Sequence, residues 1–466
     1  MKIRYLLVLV VLCGLLTGCS VVGLEPQGLM QPPRATGDKQ NVYDALEQTV
    51  GNQNFALKYP RTGDYRSAII MHPVSDANSE DAIALYQVKN GETSGTYITF
   101  LSKRNSVWTN IGTYQSTSSQ VDRVAFGDLN GDGRDEVVVG WGNGVTSLAE
   151  LSVYAYDPKD QKIHETTPKD ASMRQFYNEF VLFDLDNDGT QDIFTASLGT
   201  ADHPANGKLL SLSANHTLEV LSSVMLERDV IQYSHVSVGK VDAQTNGILL
   251  DGTTSSSQLL TELIYWDASQ QVLKAPFTSA SMPPDTAPSN HPANPTIRKA
   301  PVYATLRGDP PLLQFPMLEL LPGYPADEQE PDAFLTHWYH YDIQQGVSKQ
   351  EQVQYINFTH WYAFTIPQSW LGHVTAQIGE DRQSVTFYQW KKEETASQTG
   401  SRGDALLKLQ AVPQNAWAAS EQDPALSLLL ELGDTRLYAS LPNPANPLSL
   451  TPDQLRLQVS PFQQNP

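Results

Sequence analysis

Cysteine is nearly missing from this chain. Its 466 residues hold two, Cys13 and Cys19, so no disulfide framework, Cys-based metal site or Cys nucleophile can be built in the body of the protein. Cationic residues are scarce as well, 31 Lys and Arg against 51 Asp and Glu, for a formal net charge of −20. Without a basic patch, nucleic acid and electrostatic attachment to anionic lipid are excluded as partners. Apolar runs after the first residues all fall short of membrane-spanning length. Catalytic signatures are absent too: there is no G-x-S-x-G elbow and no H-E-x-x-H helix. Gly140-x-Gly142-x-Gly144 lacks the Lys-Ser/Thr of a phosphate loop and reads as a hairpin turn.

The one long apolar run comes first. Lys2 and Arg4 precede Tyr5 to Leu12, the pattern of a secretory signal over residues 1–18. The run then ends in Leu16-Thr17-Gly18-Cys19, which resembles a bacterial lipobox. That resemblance implies lipid modification of Cys19 as the new N-terminus, hence an extracytoplasmic protein anchored to the membrane at the cell surface. Residues 19–40, rich in Gly, Pro and Gln, read as a tether.

Two stretches carry the chemistry. Asp128-Leu129-Asn130-Gly131-Asp132-Gly133-Arg134-Asp135-Glu136 is echoed by Asp184-Leu185-Asp186-Asn187-Asp188-Gly189-Thr190-Gln191-Asp192. Side-chain oxygens at loop positions 1, 3, 5 and 9 (Asp128, Asn130, Asp132, Glu136; Asp184, Asp186, Asp188, Asp192) suit a hard cation. The Gly at position 6 makes the sharp turn, and position 7, Arg134 or Thr190, adds a backbone carbonyl. Ca²⁺ is the expected ion, about two in all, in a structural role. An EF-hand opens the same way but needs a Glu at position 12 between helices. Here position 12 is Val139 or Thr195, and the flanks, such as Val137-Val138-Val139 and Phe180-Val181-Leu182-Phe183, read as strands.

The loops start 56 residues apart, and that period finds weaker copies. Val238-Gly239-Lys240-Val241-Asp242 stands where Phe126-Gly127-Asp128-Leu129-Asn130 stood, with Lys240 in place of the first ligand. Asp81-Ala82-Ile83-Ala84-Leu85 matches a loop end whose ligand positions hold Pro73, Ser75 and Ala77. Tyr303 to Asp309 is a further remnant.

Gly127 to Val137 resembles the FG-GAP/VCBS repeat of integrin-like β-propellers. The resemblance implies four-stranded blades whose first two strands are joined around Ca²⁺. It predicts a mainly β fold, with a propeller over residues 41–345 and a Pro-rich loop at 275–301. In the second repeat the expected strands are Val121–Phe126, Glu136–Trp141, Leu148–Tyr156 and Lys162–Thr167, and a helix is expected over Val42 to Val50. Residues 346–466, with a strand into a Pro-Trp corner at Ile356–Trp370 and a last helix near Thr451–Leu457, read as a smaller α+β domain.

Other constellations are weaker. His337, His340, His360 and His373 fall within a short span without metal-ligand spacing, and Arg307-Gly308-Asp309 and Arg402-Gly403-Asp404 spell an adhesion tripeptide. The function expected is a non-enzymatic, lipid-anchored binding or scaffold protein with a protein or carbohydrate partner at the cell surface. The alternative is a cell-envelope polysaccharide lyase or hydrolase on the same scaffold.

Overall fold

The structure, a computed structural model, describes residues 37–51, 53–89, 95–144, 147–167, 173–278, 294–393 and 396–463. The expected signal, Cys19, most of the tether and the middle of the Pro-rich loop lie outside the described residues. Strands dominate, and those described form six antiparallel sheets. Among the described residues no helix is long and apolar enough to cross a membrane.

The first four sheets are built from consecutive chain: Phe55 to Ser116, Val121 to Tyr177, Glu179 to Met225 and Val230 to Lys274. The third and fourth have four strands each, whereas the first and second carry a fifth, short strand. The fifth sheet has six strands, from Thr305–Arg307 to Tyr362–Thr365, and Val459–Pro461 returns from the far end of the chain to complete it. The sixth is made of Val374–Ile378, Ser384–Glu393, Ala396–Pro413, Ser427–Leu432 and Thr435–Ser440. The boundary expected after residue 345 falls in the turn joining Phe334–Asp342 to Val347–Asn357, two paired strands of the fifth sheet.

Central strands of the first four sheets are apolar on both faces because each of these sheets is sandwiched. Val137, Val139 and Trp141 pack on Ile83 and Leu85 of the first sheet, while Val138 between them packs toward Phe180 and Ile193 of the third. Ile248, Leu250 and Ile264 face the third sheet, and Leu249 and Leu263 face Leu313 and Phe315 of the fifth. Period-2 alternation thus sends neighbouring residues into different cores. The first sheet's other face is covered by the helix Asp38–Val50, whose buried Val42 and Leu46 meet Ala82, Ala84 and Tyr86. The first strands of successive sheets also touch: Val121–Gly127 meets Glu179–Phe183, which meets Val230–Lys240, which meets Thr305–Arg307.

The second-repeat strands form within two residues of expectation, as Val121–Gly127, Glu136–Trp141, Ala149–Asp157 and Lys162–Glu165. Gly140 lies in a strand rather than the turn, where a Cβ would sit 1.6 Å from the Tyr177 hydroxyl. The strand expected over Ile356–Trp370 is two strands. Asn357 Oδ1 accepts from His360 N at 2.8 Å and starts a turn that reverses the chain before Tyr362. The last helix is Pro452–Gln458, with Thr451 and Gln454 forming a capping box.

Candidate metal centre

Both acidic loops join the first two strands of their sheets. Gly127 pairs with Glu136 and Phe183 with Asp192, so the first loop is 128–135 and the second 184–191, eight residues each. In each loop the opening Asp turns its carboxylate inward onto the backbone. Asp128 accepts from the N–H groups of Gly131, Asp132 and Gly133 at 2.8, 3.1 and 3.0 Å. Asp184 accepts from Asp188 N and Gly189 N, both at 3.1 Å. The turn needs left-handed backbone at Gly131, Gly133 and Gly189, and Asn187 also adopts it with φ 63°.

The loops differ in how their carboxylates are neutralised. In the second, ligand oxygens of Asp184, Asp186 and Asp188 lie within 4.8 Å of one another. Thr190 adds its hydroxyl, which donates to Asp188 Oδ1 at 2.6 Å. Buried Asp192 closes the loop, accepting from Leu185 N at 3.3 Å. Burial, followed by repulsion from Asp186, pushes the Asp192 acid up to about 7, and burial with Asp188 beside it raises Asp186 as well. In the first loop Asp132 pairs with the Arg134 guanidinium at 3.1 Å. Asn130 Nδ2 donates to Glu136 Oε1 at 2.7 Å, and Leu129 N donates to Glu136 Oε2 at 2.9 Å. Glu136 is 2 % exposed, and burial, with Asp132 and Asp128 nearby, lifts it to about 8.

A dense set of oxygen donors whose buried acids are held far above the ordinary carboxylate range fits a divalent oxygen-loving cation. In the second loop Asp184, Asp186, Asp188, Asp192 and the Thr190 carbonyl would hold it. In the first, Asp128, Asn130, Asp132, Glu136 and the Arg134 carbonyl would, once the Asp132–Arg134 pair and the Asn130–Glu136 bond gave way.

Two further loops occupy the equivalent place, and neither carries this set. In the first sheet, buried Asp81 stands at the position of Glu136 and Asp192, and its own neighbours fully satisfy one of its two oxygens, Oδ2, while Oδ1 makes no hydrogen bond among the described residues. Oδ2 accepts from Val74 N at 2.9 Å and from Ser75 N and Oγ, both at 2.8 Å, and also from the Ser79 hydroxyl. Burial pushes Asp81 up, but the Ser79 and Ser102 hydroxyls and these N–H groups outweigh it and hold the acid below its ordinary value. In the fourth sheet Lys240 pairs with Asn246, so the loop is only 241–245 and Lys240 stands in register with Gly127 and Phe183, one place before the first ligand. Its ammonium reaches across to Asn187 Oδ1 of the second acidic loop at 3.1 Å.

The four loops form a row linked by the backbone. Arg134 Nε donates to the Ser75 carbonyl at 3.1 Å, Gln191 N to the Asp128 carbonyl at 3.1 Å, and Asn246 Nδ2 to the Asp184 carbonyl. His72 Nε2 also lies 2.7 Å from Asp135 Oδ2. This row was hidden in the sequence, because the linking residues occupy positions that a ligand motif leaves free.

The remaining sequence candidates are engaged separately. His337 pairs with Glu319 and His340 with Glu351, while His360 contacts the Arg382 carbonyl, so no shared metal set arises. Arg307 lies over the Trp338 ring, and Arg402 bonds Gln377. Asp157, Asp160 and His164 do bring ligand atoms together on a hairpin, but His164 already holds Asp160 at 2.7 Å in the open.

No family model matches the chain, and no curated protein does. Similar solved structures include Sqt1 of Saccharomyces cerevisiae, at 8% identity over 82% of this chain and 86% of that one, with a TM-score of 0.31. The rhamnogalacturonan lyase YesW is 11% identical over 62% and 66%, with a TM-score of 0.27. A Bacillus licheniformis rhamnogalacturonan lyase, PL11, is 9% identical over 72% and 88%, with a TM-score of 0.26. Likenesses at this level carry no argument about fold or activity.

Proposed function

We propose that this chain is a calcium-stabilised binding module on a β-propeller scaffold of the FG-GAP/VCBS kind, held outside the cell membrane by a lipid on Cys19. The observation that carries the reading is the convergence of Asp184, Asp186 and Asp188 above the buried Asp192, whose acid burial, and then repulsion from Asp186, push up to about 7. A bound cation would remove that repulsion and fix the turn between two strands. The touching first strands of successive sheets, with the loops in a row, support blades arranged around a common axis. The role given to calcium is mechanical: a rigid row of loops keeps the surfaces beside it in register for a protein or carbohydrate partner. Outside cells a Kd of about 10⁻⁴–10⁻³ M is enough for such a module.

Melting curves of the protein in calcium and in chelator test this reading. Stabilisation by calcium with no response to magnesium supports it. Identical curves in all three conditions would remove the metal from the account. A cell-surface pull-down that depends on Cys19 for membrane retention tests the anchor.

A further inference from the structure

We propose that the cleft between the fourth and fifth sheets, floored by Arg307 and bordered by Tyr303, His235 and Phe462, receives the carboxylate of an acidic sugar. Two adjoining cavities, of about 420 and 170 Å³, share Arg307, Phe462 and Gln463 in their linings. Leu306 points outward and Arg307 inward from the short strand Thr305–Arg307, so the guanidinium is presented to both.

The guanidinium is positioned by neutral groups. It lies 4.1 Å from the Trp338 ring centre, and Nη2 donates to Gln352 Oε1 at 2.9 Å and Gln354 Oε1 at 3.1 Å. The glutamines are fixed in turn. Gln352 donates to Thr365 Oγ1 at 3.0 Å, and Gln354 accepts from Trp338 Nε1 at 2.9 Å. Other enclosed guanidiniums of the chain meet carboxylates, Arg123 on Glu179 and Arg298 on Asp251. Arg307 meets none among the described residues. Burial alone draws its pKa down, to about 10, which leaves it charged at neutral pH. A desolvated cation whose hydrogen bonds among the described residues use only Nη2 keeps Nη1 and Nε, which point along different edges of the guanidinium, each to donate a single bond to a carboxylate oxygen.

The surroundings favour a sugar acid over a phosphate. No second Lys or Arg lines either cavity, so a single negative charge is matched. The walls carry aromatic rings: Tyr303 stacks on His235 at 5.2 Å, Phe462 lines both cavities, and outside their linings the 47% exposed ring of Trp361 lies parallel to Phe462. Such faces suit the C–H face of a pyranose.

The test is calorimetric titration of the whole protein with cellobiouronic acid and with cellobiose, in chelator and again in calcium. The acid should bind at least about tenfold more tightly than the neutral sugar, and added salt should weaken it. Arg307→Gln should lower its affinity about ten- to hundredfold, with calcium binding and melting temperature retained. Tyr303→Ala, at the half-buried rim, should weaken the disaccharide without changing acetate binding, and it carries the test if the Arg307 variant does not fold. Equal affinity for acid and neutral sugar, no binding of either, or no response to both variants would overturn the proposal. It rests on the binding-module reading but not on the metal. Loss of uronate binding with calcium binding intact defeats this inference alone, and the converse defeats only the calcium loops.

Discussion

The loop before Asp81 and the loop before Asp192 solve one problem in opposite ways. Both place a buried carboxylate at the start of the strand that follows the loop, beneath a turn. Around Asp81 the turn supplies serine hydroxyls and backbone N–H donors, and the acid is held below its ordinary value. Around Asp192 the turn supplies more carboxylates, and burial, followed by repulsion from Asp186, lifts the acid to about 7. The same backbone position is thus largely finished internally in one sheet, with only Asp81 Oδ1 unpartnered among the described residues, and left incomplete in another. Incompleteness of that kind is what a metal site looks like before the metal. The Glu136 loop lies between these extremes, because Arg134 and the Asn130 amide supply part of what a cation would.

A fourth buried carboxylate sharpens the comparison and gives the largest expected effect. Glu262 in the fourth sheet is fully enclosed. Its Oε1 accepts from Glu227 N at 2.8 Å and Thr278 Oγ1 at 3.0 Å, while Oε2 has no partner among the described residues. Burial pushes its acid up to about 8 from an ordinary 4.5. The folded state therefore binds the proton more tightly than the unfolded chain. Stability should be highest below about pH 4.5 as far as this group is concerned and should fall as pH rises toward 8, by up to about 5 kcal/mol. Glu262→Gln should reduce that slope in denaturant unfolding measured from pH 5 to 8, leaving the part due to Glu136 and Asp192, and an unchanged slope would show that Glu262 does not contribute to it.

Asp81→Ala comes next. It strands the Val74 and Ser75 N–H groups, and a loss of about 3 kcal/mol is expected, equal in calcium and in chelator. Asp184→Ala should instead lose stability mainly in calcium, because the Asp188 and Gly189 N–H groups it frees are exposed to water. At free calcium tenfold above Kd the loss is about 1.4 kcal/mol by mass action. Equal losses of the Asp184 variant in both conditions would erase the distinction between the loops. Asp186→Ser copies Ser75 into the second loop. It should raise stability in chelator by about 0.5–1 kcal/mol, through relief of like-charge repulsion and one new hydrogen bond, while abolishing the calcium response there. The smallest effect belongs to Arg134→Ala, which frees Asp132. Calcium affinity at the first loop should rise a few-fold, read by calorimetry.

How much of this could be read in the sequence depended on how local each feature is. The ligands of each acidic loop lie within nine residues, so their spacing alone identified the turn, its flanking strands and the glycines that permit it. The helix over Asp38–Val50 and the capped helix at Pro452–Gln458 were legible for the same reason. The serine network of Asp81 was not. A ligand motif reads Pro73, Ser75 and Ala77 only as missing ligands, and a hydroxyl's partner depends on the fold. Lys240 was displaced by one register place because the loop after it is three residues shorter, which an ungapped comparison cannot see. The turn at Asn357–Trp361 was masked by the aromatic residues around it, although Asn357 was a usable signal. The Arg307 cleft draws on residues 235, 303, 307, 338 and 462, and only the packing of the fourth and fifth sheets brings them together.

The central claim is that a cation completes the two acidic loops, and calorimetric titration of the protein with calcium tests it most directly. The account expects about two ions, with the tighter site lost in Asp184→Ala and the weaker in Asp128→Ala. No heat of binding, or a stoichiometry unmoved by both substitutions, would contradict it.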